Sequence, residues 1–219
     1  MSGARLRNKS ATKVSQHRKI AGSENAGAAT VSVVPRKPRV QTPGIYHVTS
    51  RGNDKQVIFD DVLRPVFLFE LDLVARAFDW WIYGWALMSN HYHLELENTD
   101  LGLADGMHRL NNWFAKASNA RFGRINHCVG DRYSSSPIES DAHFYNALRY
   151  VLWNPVRAGV VAHPSASGWT SYRPSVGLEH APRVLAVGRL LAYFGAKPAT
   201  AYAALQAFVD AGHAGEKLR

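Results

Sequence analysis

The sequence predicts an α+β fold in which an antiparallel sheet carries helices on one side. Segments with the two-residue period of strands alternate along the chain with segments that have the helical period of 3.6 residues. Two strand-like segments are separated only by Ser89-Asn90, which predicts an antiparallel hairpin. With 219 residues and 46% hydrophobic content, the chain is long enough for one well-buried domain.

The first predicted strand covers residues 45–50 and follows a Pro-Gly turn. A helix is then predicted from Asp60 or Asp61, either of which can cap it, to about Ala77. Helical spacing defines its predicted buried stripe, which consists of Val62, Val66, Phe69, Leu73 and Ala77.

The hairpin joins residues 80–88 to a strand that begins at His91. Residues 80–88 are apolar on both faces, which predicts a central strand covered on both sides. The two-residue loop predicts the cross-strand pairs Met88 with His91, Ala86 with His93, and Gly84 with Glu95. Small side chains would therefore lie beside the histidines and leave room for an ion and a phosphate.

The later elements complete a split βαβ order. A helix that ends at Gly123 carries the stripe Leu103, Met107, Leu110, Phe114, Ala117 and Arg121. A short strand around residues 137–139 precedes a helix capped by Ser140, with the stripe Phe144, Ala147, Leu148, Val151 and Leu152. Two C-terminal helices are predicted near 182–194 and 198–212. This order is typical of ferredoxin-like sheets and makes the histidine strand central.

Positive charge is concentrated at the N-terminus. The formal net charge is +9, and residues 1–40 contain nine Lys or Arg against Glu24 alone. We therefore expect a basic disordered tail over 1–38, which could also tether a polyanion. The main domain is predicted over 39–175 and a C-terminal helical extension over 176–219.

The composition excludes several classes of protein. One cysteine, Cys128, excludes a disulfide framework and the cysteine-rich zinc modules, as expected in a reducing cytosol. No apolar run approaches the roughly 20 residues of a membrane span, and residues 1–30 lack the apolar core of a secretory signal. We expect a cytoplasmic protein that does not enter membranes.

Residues 91–97 alternate strictly between polar and apolar side chains. As a strand they place His91, His93, Glu95 and Glu97 on one face and Tyr92, Leu94 and Leu96 on the other. Two imidazoles two residues apart on a rigid strand can hold one divalent cation, which could also be zinc. For Glu95, a supporting or solvent-exposed carboxylate is favoured over a metal ligand.

The helix capped by Ser140 carries a second polar set. Tyr150 and Asn154 lie one helical turn apart, and Pro155 predicts that the helix ends or kinks there. Three other histidines are expected to be loop or core residues, namely His47, His127 and His143.

These motifs together resemble those of the REP-associated tyrosine transposases, a branch of the single-tyrosine transposases in the HUH endonuclease superfamily. The two central motifs are His91-Tyr-His93 and Arg149-Tyr-Val-Leu-Trp-Asn-Pro-Val-Arg-Ala-Gly159. Three further segments are similar to that family, namely Tyr46-His-Val-Thr-Ser-Arg-Gly-Asn53, Trp169-Thr-Ser-Tyr-Arg173 and Ala207-Phe-Val-Asp210. The resemblance covers roughly residues 39–212.

The resemblance implies a bacterial, nucleoid-associated nuclease that cuts and rejoins single-stranded DNA at hairpins of repetitive palindromes. His91 and His93 would bind Mg²⁺ or Mn²⁺, and Tyr150 would be the nucleophile that forms a 5′-phosphotyrosine. The family's third metal ligand falls on Asn154, where the best-studied transposon members have the longer glutamine. Members of the family act as monomers or as homodimers, and the sequence does not choose between them.

Basic and polar residues outside this set predict contacts with DNA. Arg51 and Asn53 are loop residues expected to meet the nucleic acid. Backbone contacts are predicted for four cations of the helix before Gly123 and just beyond it, namely Arg109, Lys116, Arg121 and Arg124. An ordinary solvated helix face explains each of these four nearly as well.

Two rival functions remain at this stage. A non-catalytic module that binds hairpin DNA would explain the basic tail, but it has no need of His91, His93 and Tyr150 together. A metal hydrolase that acts on small molecules lacks a recognisable base and a deep-pocket motif.

Overall fold

The structure is a computed structural model that describes residues 42–100, 102–125, 128–129 and 133–212. The predicted basic tail over 1–38 and His127 lie outside the described residues. Within the described part, no helix is both long and apolar enough to cross a membrane.

Four strands and seven helices make up the regular structure of the described residues. The strands are β1 (Gly44–Arg51), β2 (Trp80–Leu87), β3 (His91–Asn98) and β4 (Ser134–Ile138). The long helices are α1 (Leu63–Ala77), α2 (Leu103–Phe122), α3 (Asp141–Leu152) and α7 (Pro198–Asp210). The short helices are α4 (Asn154–Arg157), α5 (Tyr172–Ser175) and α6 (Val187–Ala192).

The strands form one antiparallel sheet in the order β2-β3-β1-β4. This order, with the connections β1-α1-β2 and β3-α2-β4, is that of a ferredoxin-like split βαβ fold and confirms the predicted fold class. The histidine strand β3 is central, as predicted. Its register against β1 pairs His47 with Glu95, Thr49 with His93, and Arg51 with His91.

The β2-β3 hairpin has the predicted two-residue turn. The amide of Met88 donates to the carbonyl of His91 at 2.9 Å, and Ala86 pairs with His93. Gly84 pairs with Glu95 after a bulge that follows Ile82. The bulge shifts the alternation of β2, so that Trp80 and Trp85 both contact the core beneath α1 and α2.

Helices α1 and α2 cover the apolar face of the sheet. Tyr92, Leu94 and Leu96 are fully buried in this core, together with Phe67 of α1 and Phe114 of α2. The α2 stripe is confirmed from Leu103 to Phe114, and Gly123 ends the helix with a left-handed φ of 63°.

The predicted buried stripe of α1 is wrong. Val62, Val66 and Phe69 are exposed, with 54%, 40% and 64% of their surface accessible. The buried residues are instead Leu63, Phe67, Glu70, Leu71, Val74 and Ala75. Both sets have helical spacing in this sequence, and packing against the sheet buries the set that includes Phe67 and not the set that includes Phe69. The capping prediction holds, because Asp60 Oδ1 accepts from the amide of Leu63 at 2.9 Å.

Strand β2 lies at the edge of the sheet and not at its centre, so this prediction is corrected. Its apolar character has another cause, because irregular segments cover its outer edge. The amide of Leu87 donates to the carbonyl of Trp169, and the amide of Ala186 donates to that of Ile82. This edge therefore has backbone partners without a fifth strand.

Helix α3 and the C-terminal helices cover the histidine face. Their core contains the predicted α3 residues Phe144, Leu148 and Leu152, which pack with Tyr172 of α5 and Leu205 of α7. The first C-terminal helix is shorter than predicted, since α6 covers only Val187–Ala192. The predicted single helical layer thus holds for α1 and α2, and a second layer lies on the opposite face.

Side-chain hydrogen bonds join α3 to the segments that follow it. Trp153 Nε1 donates to the carbonyl of Val209 at 2.9 Å, and the Tyr145 hydroxyl donates to the carbonyl of Tyr193 at 2.6 Å. The C-terminal part of the chain therefore holds α3 in place on the sheet.

Candidate active site

Helix α3 presents Tyr150 to the histidine face. Ser140 caps the helix by accepting from the amide of His143 at 3.2 Å, as the sequence predicts. The predicted apolar stripe of α3 is buried, which fixes the rotation of the helix and leaves Tyr150 half-buried beside it. Its ring centroid lies 5.5 Å from that of His93 and 5.8 Å from that of His47.

The two predicted metal-binding histidines lie next to each other on β3. The ring centroids of His91 and His93 are 5.0 Å apart and the rings are nearly perpendicular. His91 Nδ1 lies 2.6 Å from Asn90 Oδ1. Because an amide oxygen can only accept, His91 Nδ1 donates to Asn90 Oδ1.

Asn154 lies between the two imidazoles. Its Nδ2 is 3.1 Å from His93 Nε2, and it also hydrogen-bonds the side chain of His91. Asn154 is buried at the start of α4, where Pro155 interrupts the helical hydrogen bonds as predicted. The shorter asparagine therefore reaches both histidines from this position.

His47 also belongs to the site, although the sequence favoured a loop or core role for it. Its Nε2 lies 3.0 Å from His93 Nδ1, and the two rings are nearly coplanar, with centroids 5.2 Å apart and an interplanar angle of 10°. The strand alternation of β1 puts His47 on the same face as Arg51, and that alternation was the available signal. The contact itself depends on the pairing of β1 with β3.

Burial keeps these imidazoles neutral. It lowers the pKa of His93 to about 2, with further lowering by His47, His91 and Arg51. Burial also lowers the pKa of His47 to about 4, assisted by the charge of His143, and lowers the pKa of His91. At neutral pH, lone pairs rather than protons are therefore available to a cation.

The donors fit a divalent cation. Asn154 hydrogen-bonds both imidazoles, and beside His93 Nε2 its oxygen can replace its nitrogen by rotation of the amide. Two imidazoles and one amide leave positions open for water or a phosphate oxygen, as in catalytic metal sites. No cluster of three or more His, Cys, Asp or Glu side chains suited to a metal occurs within the described ranges.

Glu95 is buried and does not face solvent. Neither of its carboxylate oxygens has a hydrogen-bond partner among the described residues, and burial raises the pKa of Glu95 well above its usual value. The predicted open space beside Gly84 is also absent. A Cβ on Gly84 would lie 3.1 Å from Leu148 Cδ1, so α3 fills the position that was expected to hold an ion or a phosphate.

Two arginines flank the site. Arg51, which the sequence predicted to contact DNA, is exposed and pairs in register with His91. Arg157, which the sequence analysis missed, places its guanidinium carbon 4.9 Å from the centroid of the Tyr150 ring. Arg157 lies seven residues after the tyrosine in sequence, and α4 returns it to the ring.

The four cations of the α2 region lie on the other side of the sheet from the histidines. Arg121 pairs with Asp60 at 2.5 Å, Arg124 donates to the carbonyl of Val57 at 2.6 Å, and Arg109 lies 3.9 Å from a Glu70 oxygen. Lys116 is exposed. Asn53 lies in the turn that follows Arg51, at the histidine end of β3. Their predicted contacts with DNA stay predictions.

The fold is similar to a solved structure of a REP-associated tyrosine transposase bound to a REP hairpin. The TM-score is 0.58 with 15% sequence identity, and the match covers 68% of this chain and 89% of that chain. No protein-family model matches the sequence, and no curated protein does. The structural similarity supports the ferredoxin-like α+β fold.

Proposed function

We propose that this protein is a REP-associated tyrosine transposase, a metal-dependent enzyme that cuts and rejoins single-stranded DNA through a 5′-phosphotyrosine. The observation that carries the proposal is the convergence of Tyr150, His91, His93 and Asn154, contributed by distant segments of one chain. Chance placement of a phenol beside two buried neutral imidazoles is a poor explanation for all four residues.

The chemistry requires a nucleophile next to a neutralised phosphate. The Tyr150 hydroxyl gives its proton to water and its oxygen bonds to phosphorus, the bond from phosphorus to the 3′ oxygen breaks, and that oxygen takes up a proton from water and leaves as a free 3′-OH. The covalent link keeps the bond energy, so a 3′-OH can attack it and rejoin the strand without ATP. Arg157 orients the phenol by stacking on its ring, and Arg51 offers positive charge to the phosphate.

His91, His93 and Asn154 would hold Mg²⁺ or Mn²⁺. When bound, the ion supplies positive charge that offsets the anionic phosphate oxygens as the nucleophile approaches. The imidazoles suit this role because burial disfavours their charged form, and each neutral ring has one unprotonated nitrogen that can bind a cation. In this arrangement Tyr150 lies beside histidines of its own chain, which supports a site that is complete in a monomer.

The proposed substrate is a DNA hairpin with a single-stranded flank. The structural neighbour is a protein bound to a REP hairpin. Arg51, Asn53 and the α2 cations would contact the nucleic acid backbone, and a basic N-terminal tail would add affinity that falls with salt.

The decisive experiment is to incubate the protein with hairpin DNA and Mn²⁺ and to look for a covalent protein–DNA adduct on a denaturing gel. Wild type should form the adduct, and Tyr150→Phe should form none. Tyr145→Phe is the matched control, because Tyr145 lies on the same helix with its hydroxyl bonded to the carbonyl of Tyr193. An adduct with Tyr150→Phe would refute the assignment of the nucleophile.

A non-catalytic hairpin-binding protein is the alternative. EDTA distinguishes the two functions. Both an enzyme and a binding protein should still bind the hairpin in EDTA, whereas cleavage that disappears in EDTA is expected only of the enzyme. Tight binding of the hairpin by wild type without any cleavage in Mn²⁺ or Mg²⁺ would favour the binding protein.

A further inference from the structure

We propose that His47 is a positioning residue that fixes the imidazole of His93 so that its Nε2 lone pair faces the metal site. This inference rests on the proposed function and names a residue that the proposed set of Tyr150, His91, His93 and Asn154 does not include. His47 lies on β1 and reaches across to His93 on the adjacent strand β3, with His47 Nε2 3.0 Å from His93 Nδ1.

The hydrogen bonds around His93 define which of its nitrogens carries the proton. Asn154 Nδ2 is 3.1 Å from His93 Nε2 and can only donate, so Nε2 is unprotonated. A neutral imidazole then has its single proton on Nδ1, which donates to His47 Nε2. His47 is therefore the acceptor, and it holds the tautomer that a metal ion on Nε2 requires.

Burial makes this acceptor hard to replace. Only 6% of the His93 surface is accessible, so water has little access to Nδ1 when His47 is absent. The two rings are also nearly coplanar, with an interplanar angle of 10°, so the hydrogen bond between Nδ1 and Nε2 lies close to the plane of both imidazoles. Partners of this kind orient metal-binding histidines in many proteins, where the acceptor is usually a carboxylate, a carbonyl or water.

The other proposed ligand has an equivalent partner. His91 Nδ1 donates to Asn90 Oδ1 at 2.6 Å, from the preceding residue in the hairpin turn. Both imidazoles thus have Nδ1 in a hydrogen bond, and both also hydrogen-bond Asn154. His91 obtains its acceptor from its own turn, whereas His93 depends on a different strand.

Two substitutions distinguish the effect of the hydrogen-bond acceptor of His47 from the effect of its aromatic ring. His47→Phe keeps an aromatic ring in the same place and removes the acceptor, while His47→Gln retains a side-chain oxygen near the position of Nε2. His143→Gln is the matched control, because it removes another imidazole that influences His47 electrostatically. Each full-length variant is tested without DNA, first by long-range ¹H–¹⁵N NMR of the metal-free protein and then by calorimetric titration with Mn²⁺.

In wild type, His93 should show the Nδ1-protonated tautomer. His47→Phe should shift His93 towards the Nε2-protonated form and weaken Mn²⁺ binding by about 10- to 100-fold, the usual effect of losing such a partner. His47→Gln should restore the tautomer and most of the affinity, and His143→Gln should match wild type in both measurements.

The inference is overturned if His47→Phe leaves the tautomer and the Mn²⁺ affinity unchanged. It is also overturned if His47→Gln behaves like His47→Phe, since the ring and not the acceptor would then matter. His91→Ala tests the metal site separately. If that variant binds Mn²⁺ as tightly as wild type, the proposed metal site is wrong, whereas loss of binding in His91→Ala but not in His47→Phe contradicts only the role of His47.

Discussion

Tyr92, Leu94 and Leu96 on one face of β3 are fully buried against α1 and α2, and His93 and Glu95 on the other face are almost as inaccessible. The first set is apolar, so its removal from water stabilises the fold. The second set consists of ionisable groups whose burial costs free energy, visible in the lowered pKa of His93 and the raised pKa of Glu95. The comparison separates a face whose burial stabilises the fold from a face where the burial of ionisable groups costs free energy, as is common at functional sites.

The largest effect is expected on the apolar face. Leu94→Ala removes a side chain with no accessible surface and should lower the free energy of unfolding by about 2–5 kcal/mol, measured by urea denaturation. DNA cleavage per folded molecule should stay near the wild-type rate. A variant that keeps its stability but loses cleavage would contradict the division between the faces.

His91→Ala should show the reverse pattern. Loss of a metal ligand should reduce cleavage by at least about 100-fold, because the ion contributes several kcal/mol to the transition state. The free energy of unfolding should change by less than about 1 kcal/mol, since the side chain is only half-buried. EDTA should reduce cleavage by wild type as strongly as the substitution does, and it should not reduce the residual cleavage by His91→Ala any further. A further reduction of His91→Ala cleavage by EDTA would show that the ion binds elsewhere.

Arg157→Ala sharpens the comparison at the rim of the polar face. Without the guanidinium over the Tyr150 ring, the initial rate of adduct formation should fall about tenfold, the range of a partly exposed cation–π contact plus a phosphate contact. Arg157→Lys keeps the charge but loses the planar contact with the ring, so its rate of adduct formation should lie between those of wild type and Arg157→Ala. Equal rates in all three proteins, measured on the same hairpin, would exclude a role for Arg157 in orienting the phenol.

The last comparison concerns Glu95, where a pH dependence is expected and not a loss at a single pH. Because the folded state holds its proton more tightly than the unfolded chain, the unfolded chain binds fewer protons above the usual pKa of 4.5, and stability falls as the pH rises. The histidines act with the opposite sign below their usual pKa of 6.5. Glu95→Gln cannot titrate, so the difference in unfolding free energy between variant and wild type should grow from about pH 5 to pH 8. A constant difference would mean that Glu95 is ionised in the folded protein.

Local patterns in the sequence predicted most of the fold. The two-residue turn at Ser89-Asn90, the alternation from His91 and the cap at Ser140 all depend on neighbours along the chain. The α1 stripe failed because residues 62–77 contain two apolar sets with helical spacing, and only packing against the sheet distinguishes them. The prediction that β2 is a central strand failed because the segments that cover its outer edge come about eighty residues later in the chain or more.

The candidate site was predictable to the same degree. Residue spacing and family resemblance suggested His91, His93, Tyr150 and Asn154. The contact of His47 with His93 depends on the pairing of β1 with β3, and that of Arg157 with Tyr150 depends on how α4 folds back. The burial of Glu95 depends on how α3 lies on the sheet, which no local pattern specifies.

The four residues of the proposed centre, His91, His93, Tyr150 and Asn154, come from two segments of the chain. His91 and His93 belong to a single strand, and Tyr150 and Asn154 lie four residues apart on the stretch formed by α3 and α4. Any displacement of that stretch from the sheet would withdraw the phenol and the amide at the same moment. A form of the protein with the phenol in place but without the amide, or the reverse, is therefore not expected.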